Sequence, residues 1–88
     1  MSLTIHGNVQ GINLRSMIKV KALELGLTGF VTNNSQGTVT VEAEGEKAKL
    51  EEILRWFDTN PGGSRVDQVS DQWREASGEF TDFTIKYA

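Results

Sequence analysis

Cysteine is absent from all 88 residues, and that single absence removes disulfides, thiol nucleophiles and thiolate metal sites together. One histidine, His6, leaves little material for imidazole metal sites or a catalytic triad. The single proline and the mixed charges are unlike a disordered or fibrous chain. No apolar run approaches the roughly 20 residues that span a bilayer, and the N-terminal segment has neither the basic stretch nor the apolar core of a secretory signal. The expected location is the cytoplasm, away from any membrane. Positive charge is not in excess either: Lys and Arg number 9 against 12 Asp and Glu, and the basic residues are scattered. That balance argues against a nucleic-acid surface, so the expected partner is a small molecule. A monomer is the expected state.

What is present is enough for one small folded domain over residues 1–88, with 38% apolar residues and a core of modest size. Leu3 and Ile5 alternate with Thr4 and His6, the period of a half-buried strand ending at Gly7. Leu14, Ile18, Ala22 and Leu25 recur at helical spacing, with Lys19 and Lys21 outward and Gly26 placed to stop the helix in a left-handed conformation. This helix is expected over about residues 14–25. Residues 28–32 and 38–44 read as two strands, the second with Val39, Val41 and Ala43 on one face. The Asn, Ser and Gly of residues 33–37 form a tight hairpin loop between them, with Gly37 available for a positive φ.

Leu50, Ile53, Leu54 and Phe57 make a second helical stripe, with Glu51 and Arg55 on the solvent side, ending before Asn60-Pro61-Gly62-Gly63. Residues 64–72 form a weaker strand whose Val66 and Val69 differ in parity, which calls for a bulge or a shifted boundary. Phe83, Ile85 and Tyr87 alternate in a closing strand after a loop containing Gly78. The order predicts an α+β fold, a ferredoxin-like split βαβ sandwich. Its two helices pack on one face of a four- or five-stranded, mostly antiparallel sheet.

Between the first strand and the first helix lies Gly7-Asn8-Val9-Gln10-Gly11-Ile12-Asn13-Leu14-Arg15. Amides at a helix start lack intrahelical acceptors and sit at the positive end of the peptide dipoles, so this turn is a candidate anion cradle. Arg15 adds a permanent, forked positive charge.

This stretch resembles the signature of the acylphosphatase family, approximately G-x-V-Q-G-V-x-F-R. That signature is followed after a helix by G-[FWY]-V-x-N-x-x-x-G, matched here by Gly29-Phe30-Val31-Thr32-Asn33-Asn34-Ser35-Gln36-Gly37. The size of the chain and the closing Phe83-Thr84-Ile85-Lys86-Tyr87 also look like that family, so the resemblance runs nearly end to end. It implies hydrolysis of acyl phosphates to a carboxylate and inorganic phosphate without metal or cofactor. Arg15 and the amides of Val9, Gln10, Gly11, Ile12, Asn13 and Leu14 would bind the phosphate, and Asn33 would position the water. Inorganic phosphate or sulfate would then compete with substrate.

The residue types suit that chemistry. An acyl phosphate is already activated, so the protein needs only to hold the phosphoryl group, stabilise its charge and deliver water in line. A guanidinium takes two phosphate oxygens, and a carboxamide orients water without taking its proton. The chain departs from the signature at three places: Asn13 stands where glycine is frequent, Leu14 where phenylalanine is common, and Asn8 where a basic residue is common. If position 13 needs positive φ, asparagine is the least costly non-glycine choice. Asn13 also keeps open an alternative, a ferredoxin-like module that binds anions without turnover. A second alternative is a relative of the acylphosphatase-like domain of hydrogenase-maturation proteins, which the missing cysteines disfavour.

Other conspicuous residues have plainer readings. Asn33 by itself is a hairpin residue bonding its own backbone. His6 shares parity with Thr4 and points off the core. Trp56 and Trp73 are partial-burial residues, and Asp67, Asp71, Glu79 and Asp82 are solvated charges without metal-ligand spacing.

Overall fold

Alternation in the first residues does produce a strand: β1 runs Ser2–Asn8 with Leu3 and Ile5 fully buried. The computed structural model describes residues 1–9 and 13–87. After β1 come α1 (Leu14–Glu24), β2 (Thr28–Asn33), β3 (Val39–Glu44), α2 (Lys47–Trp56), β4 (Arg65–Gln72) and β5 (Phe83–Lys86). Two single 3-10 turns, Phe57–Thr59 and Pro61–Gly63, link α2 to β4.

The strands form one five-stranded sheet in the order β4-β1-β3-β2-β5. Every neighbouring pair is antiparallel except β2 and β5, which run parallel. Because β3 lies between β1 and β2, the β1-α1-β2 unit is a split crossover, as the ferredoxin-like pattern requires. Leu3, Ile5, Val31, Val39, Val41 and Ala43 project from one sheet face into a single core with Leu14, Ile18 and Ala22 of α1 and Leu50 and Ile53 of α2. Both helices therefore cover the same face.

Gly26 stops α1 as expected, at φ 71°, and completes a hydrogen-bonded cap. The Leu27 amide donates to the Ala22 carbonyl at 2.9 Å and the Gly26 amide to that of Leu23 at 3.1 Å, satisfying acceptors that the helix end leaves open. The parity conflict in β4 is a bulge: His6 pairs with Gln68 but Gly7 with Val66, so Asp67 has no opposite residue. That extra residue lets Val66 and Val69 both pack against the core.

Differences from the sequence reading are confined to boundaries. β1 extends past Gly7 to Asn8, β2 runs on to Asn33, β3 starts at Val39, and β5 ends at Lys86, leaving Tyr87 beyond it and exposed. Phe57 leaves the α-helix for a 3-10 turn but stays fully buried, so the stripe of α2 survives the change of helix type. Lys19 and Lys21 are half-buried, because long side chains lay their methylenes along the helix flank. Trp56 is half-buried against the core and Trp73 is exposed.

The connection from β4 to β5 must pass from one sheet edge to the other, and residues 73–82 do so across the face opposite the helices. Arg74 Nη2 donates to Glu42 Oε1 at 3.1 Å, and the Phe80 and Phe30 rings pack with centroids 5.9 Å apart. Glu44 accepts from the Ser77 amide at 2.7 Å, the Ser77 hydroxyl at 2.8 Å and the Gly78 amide at 3.1 Å.

Candidate active site

Asn33 is the last residue of β2 and follows the alternation of Gly29 and Val31, so its side chain falls on the helix-covered face where the sheet ends. Its Oδ1 is buried and accepts no hydrogen bond among the described residues. A buried carbonyl oxygen without a donor is costly and rare, which singles this one out among the described residues. Ser64 Oγ is in the same condition, one residue before the Arg65 that pairs with Asn8.

The hairpin does not use Asn33 as its turn residue. That work falls to Asn34, whose Nδ2 donates to Thr38 Oγ1 at 2.9 Å and to Thr40 Oγ1 at 2.7 Å. The Asn34 amide donates to the Thr38 carbonyl at 2.8 Å, the Gly37 amide to the Asn34 carbonyl at 3.1 Å, and Gly37 takes φ 88°. The loop is thus held by Asn34, the neighbour of Asn33.

Arg15 is the second residue of α1. Asn13 caps the helix without a side-chain hydrogen bond, and no acidic residue lies in the first turn. No carboxylate of the helix's own first turn offsets its positive end, which favours an incoming anion. Asn13 has φ −60° and ψ 36°, outside the helical and extended regions but with negative φ, so the position makes no demand for a left-handed residue. Val9 and Leu14 are buried and anchor the chain on either side of the turn, which also explains why an apolar residue suffices at position 14. Gln10, Gly11 and Ile12, expected to complete the cradle, lie outside the described residues.

The guanidinium of Arg15 lies over the ring of Tyr87, 5.1 Å from its centroid. Tyr87 follows Lys86, and Lys86 pairs with Thr32, the residue before Asn33. Arg15 and Asn33 therefore stand at the same end of the sheet on the same face. Tyr87 is the residue that sequence reasoning missed at this site; its signal was the alternation of the closing strand, which puts it in line with Phe83 and Ile85.

The glycines that open the two motif blocks have a structural cause. Gly7 and Gly29 adopt φ 134° and 139°, and a Cβ on either would overlap a backbone oxygen of the next strand, that of Arg65 or Glu42. His6 alternates away from the core, opposite Gln68. Among the described residues no three His, Asp or Glu side chains gather closely enough to hold a metal ion, and no helix is long and apolar enough to cross a membrane.

Comparison with known proteins agrees with this architecture. The family described as Acylphosphatase matches residues 1–85. An acylphosphatase of Caldanaerobacter subterraneus subsp. tengcongensis is 40% identical over 94% of this chain and 92% of its own length. That of Marinobacter nauticus is 43% identical over 92% of this chain and 88% of its own. Among solved structures, the acylphosphatase from Bacillus subtilis superposes with a TM-score of 0.90 at 28% identity, covering 98% of this chain and 96% of that one. A full-length HypF, crystallised in a phosphate- and nucleotide-bound form, matches with a TM-score of 0.88 at 32% identity, over 97% of this chain but 11% of its own. The match along nearly the whole chain, with both motif blocks at one end of the sheet, establishes that this chain belongs to the acylphosphatase family of hydrolases.

Proposed function

We propose that this chain hydrolyses carboxyl-phosphate anhydrides, with Arg15 and the backbone amides from Val9 to Leu14 holding the phosphate and Asn33 orienting the attacking water. The observation that carries the reading is the buried Oδ1 of Asn33, without a partner among the described residues, at the sheet end where Arg15 also stands. A water donating to that oxygen satisfies it and is held for attack. The start of α1, with no acidic residue in its first turn, and the forked guanidinium supply preorganised donors to the phosphoryl oxygens as charge shifts in the transition state.

Water adds to phosphorus as the bond to the acyl oxygen breaks, and the carboxylate leaves with the bonding pair. The water proton passes to a phosphate oxygen of the substrate, since the chain offers no acid or base in the motif. No metal or cofactor enters these steps. Inorganic phosphate and sulfate satisfy the same donors and act as competitive inhibitors. The reading includes a cytoplasmic monomer, in keeping with a cysteine-free chain that needs no oxidising compartment.

The test is hydrolysis of benzoyl phosphate by the purified protein with and without a chelator. Turnover that the chelator leaves unchanged supports the reading. Tight phosphate binding without turnover would show an anion-binding module instead.

A further inference from the structure

We infer that Tyr87 is a positioning residue for Arg15, its ring holding the plane of the guanidinium so that the N–H edges face the phosphate. This rests on the reading of Arg15 as the phosphate clamp. A guanidinium has two uses in different directions: its face stacks on an aromatic ring, and its edge donates in-plane hydrogen bonds. A carboxylate partner would occupy the edge and compete with phosphate. Neither ion pair among the described residues involves Arg15, these being Arg65 with Asp67 and Arg74 with Glu42. The Tyr87 ring, 5.1 Å from Cζ, meets the guanidinium without using its N–H donors, none of which is hydrogen-bonded among the described residues.

The placement follows from β5. Lys86 turns to the sheet face opposite the helices, its Nζ 4.0 Å from the centroid of Phe30, so the next residue turns to the helix face where Arg15 begins α1. Tyr87 is 77% exposed, and the core has little use for it. Restraining a long, rotamer-rich side chain before the ligand arrives lowers the entropy lost on binding.

The experiment compares Tyr87→Leu and Tyr87→Phe with the parent for inorganic phosphate affinity, benzoyl phosphate kinetics and melting temperature. For the leucine variant, phosphate binding is expected to weaken about threefold to fivefold, the equivalent of an exposed cation–π contact. KM should rise by a similar factor at near-parental kcat, because the restraint serves ground state and transition state alike. The phenylalanine variant, which keeps the ring, should bind phosphate within about twofold of the parent. Parental affinity in the leucine variant, or equal weakening in both variants, would overturn the inference. Failure of the underlying reading is a separate result: an Arg15→Lys protein that binds phosphate and turns over like the parent removes the clamp itself.

Discussion

Thr32 and Lys86 pair across the parallel strands β2 and β5, so the residues that follow them, Asn33 and Tyr87, leave the sheet side by side at one end. Arg15 closes the group from α1 by lying over Tyr87. A helix start and two parallel strand ends thus bring together residues far apart in sequence.

Arg15→Lys keeps the charge and loses the fork. Lysine offers a point charge where the phosphate reading needs two donors at fixed geometry, and it stacks less well on a ring. Catalytic efficiency should fall at least about a hundredfold, the size typical of removing a transition-state donor. Steady-state kinetics on benzoyl phosphate measures this, and near-parental efficiency would remove Arg15 from the mechanism.

Asn13→Gly separates two accounts of the departure from the family signature. Because φ is negative at this position, glycine has no left-handed backbone to relieve, and it adds freedom to the unfolded chain. Stability should drop by about half a kcal/mol, seen as a fall of about 2–4 °C in melting temperature. A higher melting temperature with faster turnover would mean that asparagine strains or obstructs the cradle.

Much of this was legible in the sequence, and the reasons are local. Strand alternation at Leu3 and Ile5, the Leu14-Ile18-Ala22 stripe and the stop at Gly26 each depend on neighbours within a turn or two, so the pattern alone carries them. The unlike parity of Val66 and Val69 was readable as a bulge, but the residue left unpaired, Asp67, depends on the register with β1, which no local pattern fixes. The same limit applies at the site. Sequence reasoning singled out Arg15 and Asn33 and weighed Asn33 as a turn residue; that Asn34 makes the side-chain hydrogen bonds of the turn, to Thr38 and Thr40, depends on the folded hairpin. The approach of Tyr87 to Arg15 is a product of the β2–β5 pairing and lies beyond any single segment.

Glu44 gives the strap across the open sheet face a pH dependence. The Ser77 amide, then the Ser77 hydroxyl and the Gly78 amide, hold its carboxyl below the usual glutamate range against the opposing effect of burial, and the N-terminal ammonium adds to the lowering. Glu42, Arg74, Glu75 and Glu79 line the same cavity. A carboxyl whose pKa is lowered by folding contributes stability above its unfolded value and loses it as pH falls through the folded one. Stability should therefore decline as pH drops below about 4.3, the ordinary glutamate value. Glu44→Gln should flatten part of that decline. Urea unfolding across this range checks it, and identical pH profiles for the two proteins would contradict the role of Glu44.

The most direct test of the central claim is Asn33→Ala, with melting temperature, phosphate affinity and turnover measured on one preparation. Because the proposed task of Asn33 is to orient water and not to hold the anion, turnover should fall by about a hundredfold or more while phosphate affinity stays near the parental value. The melting temperature should hold or rise, since alanine removes a buried oxygen that has no donor among the described residues. A variant that is destabilised by about 1 kcal/mol yet retains full turnover per folded molecule would contradict the account, returning Asn33 to the role of a hairpin residue.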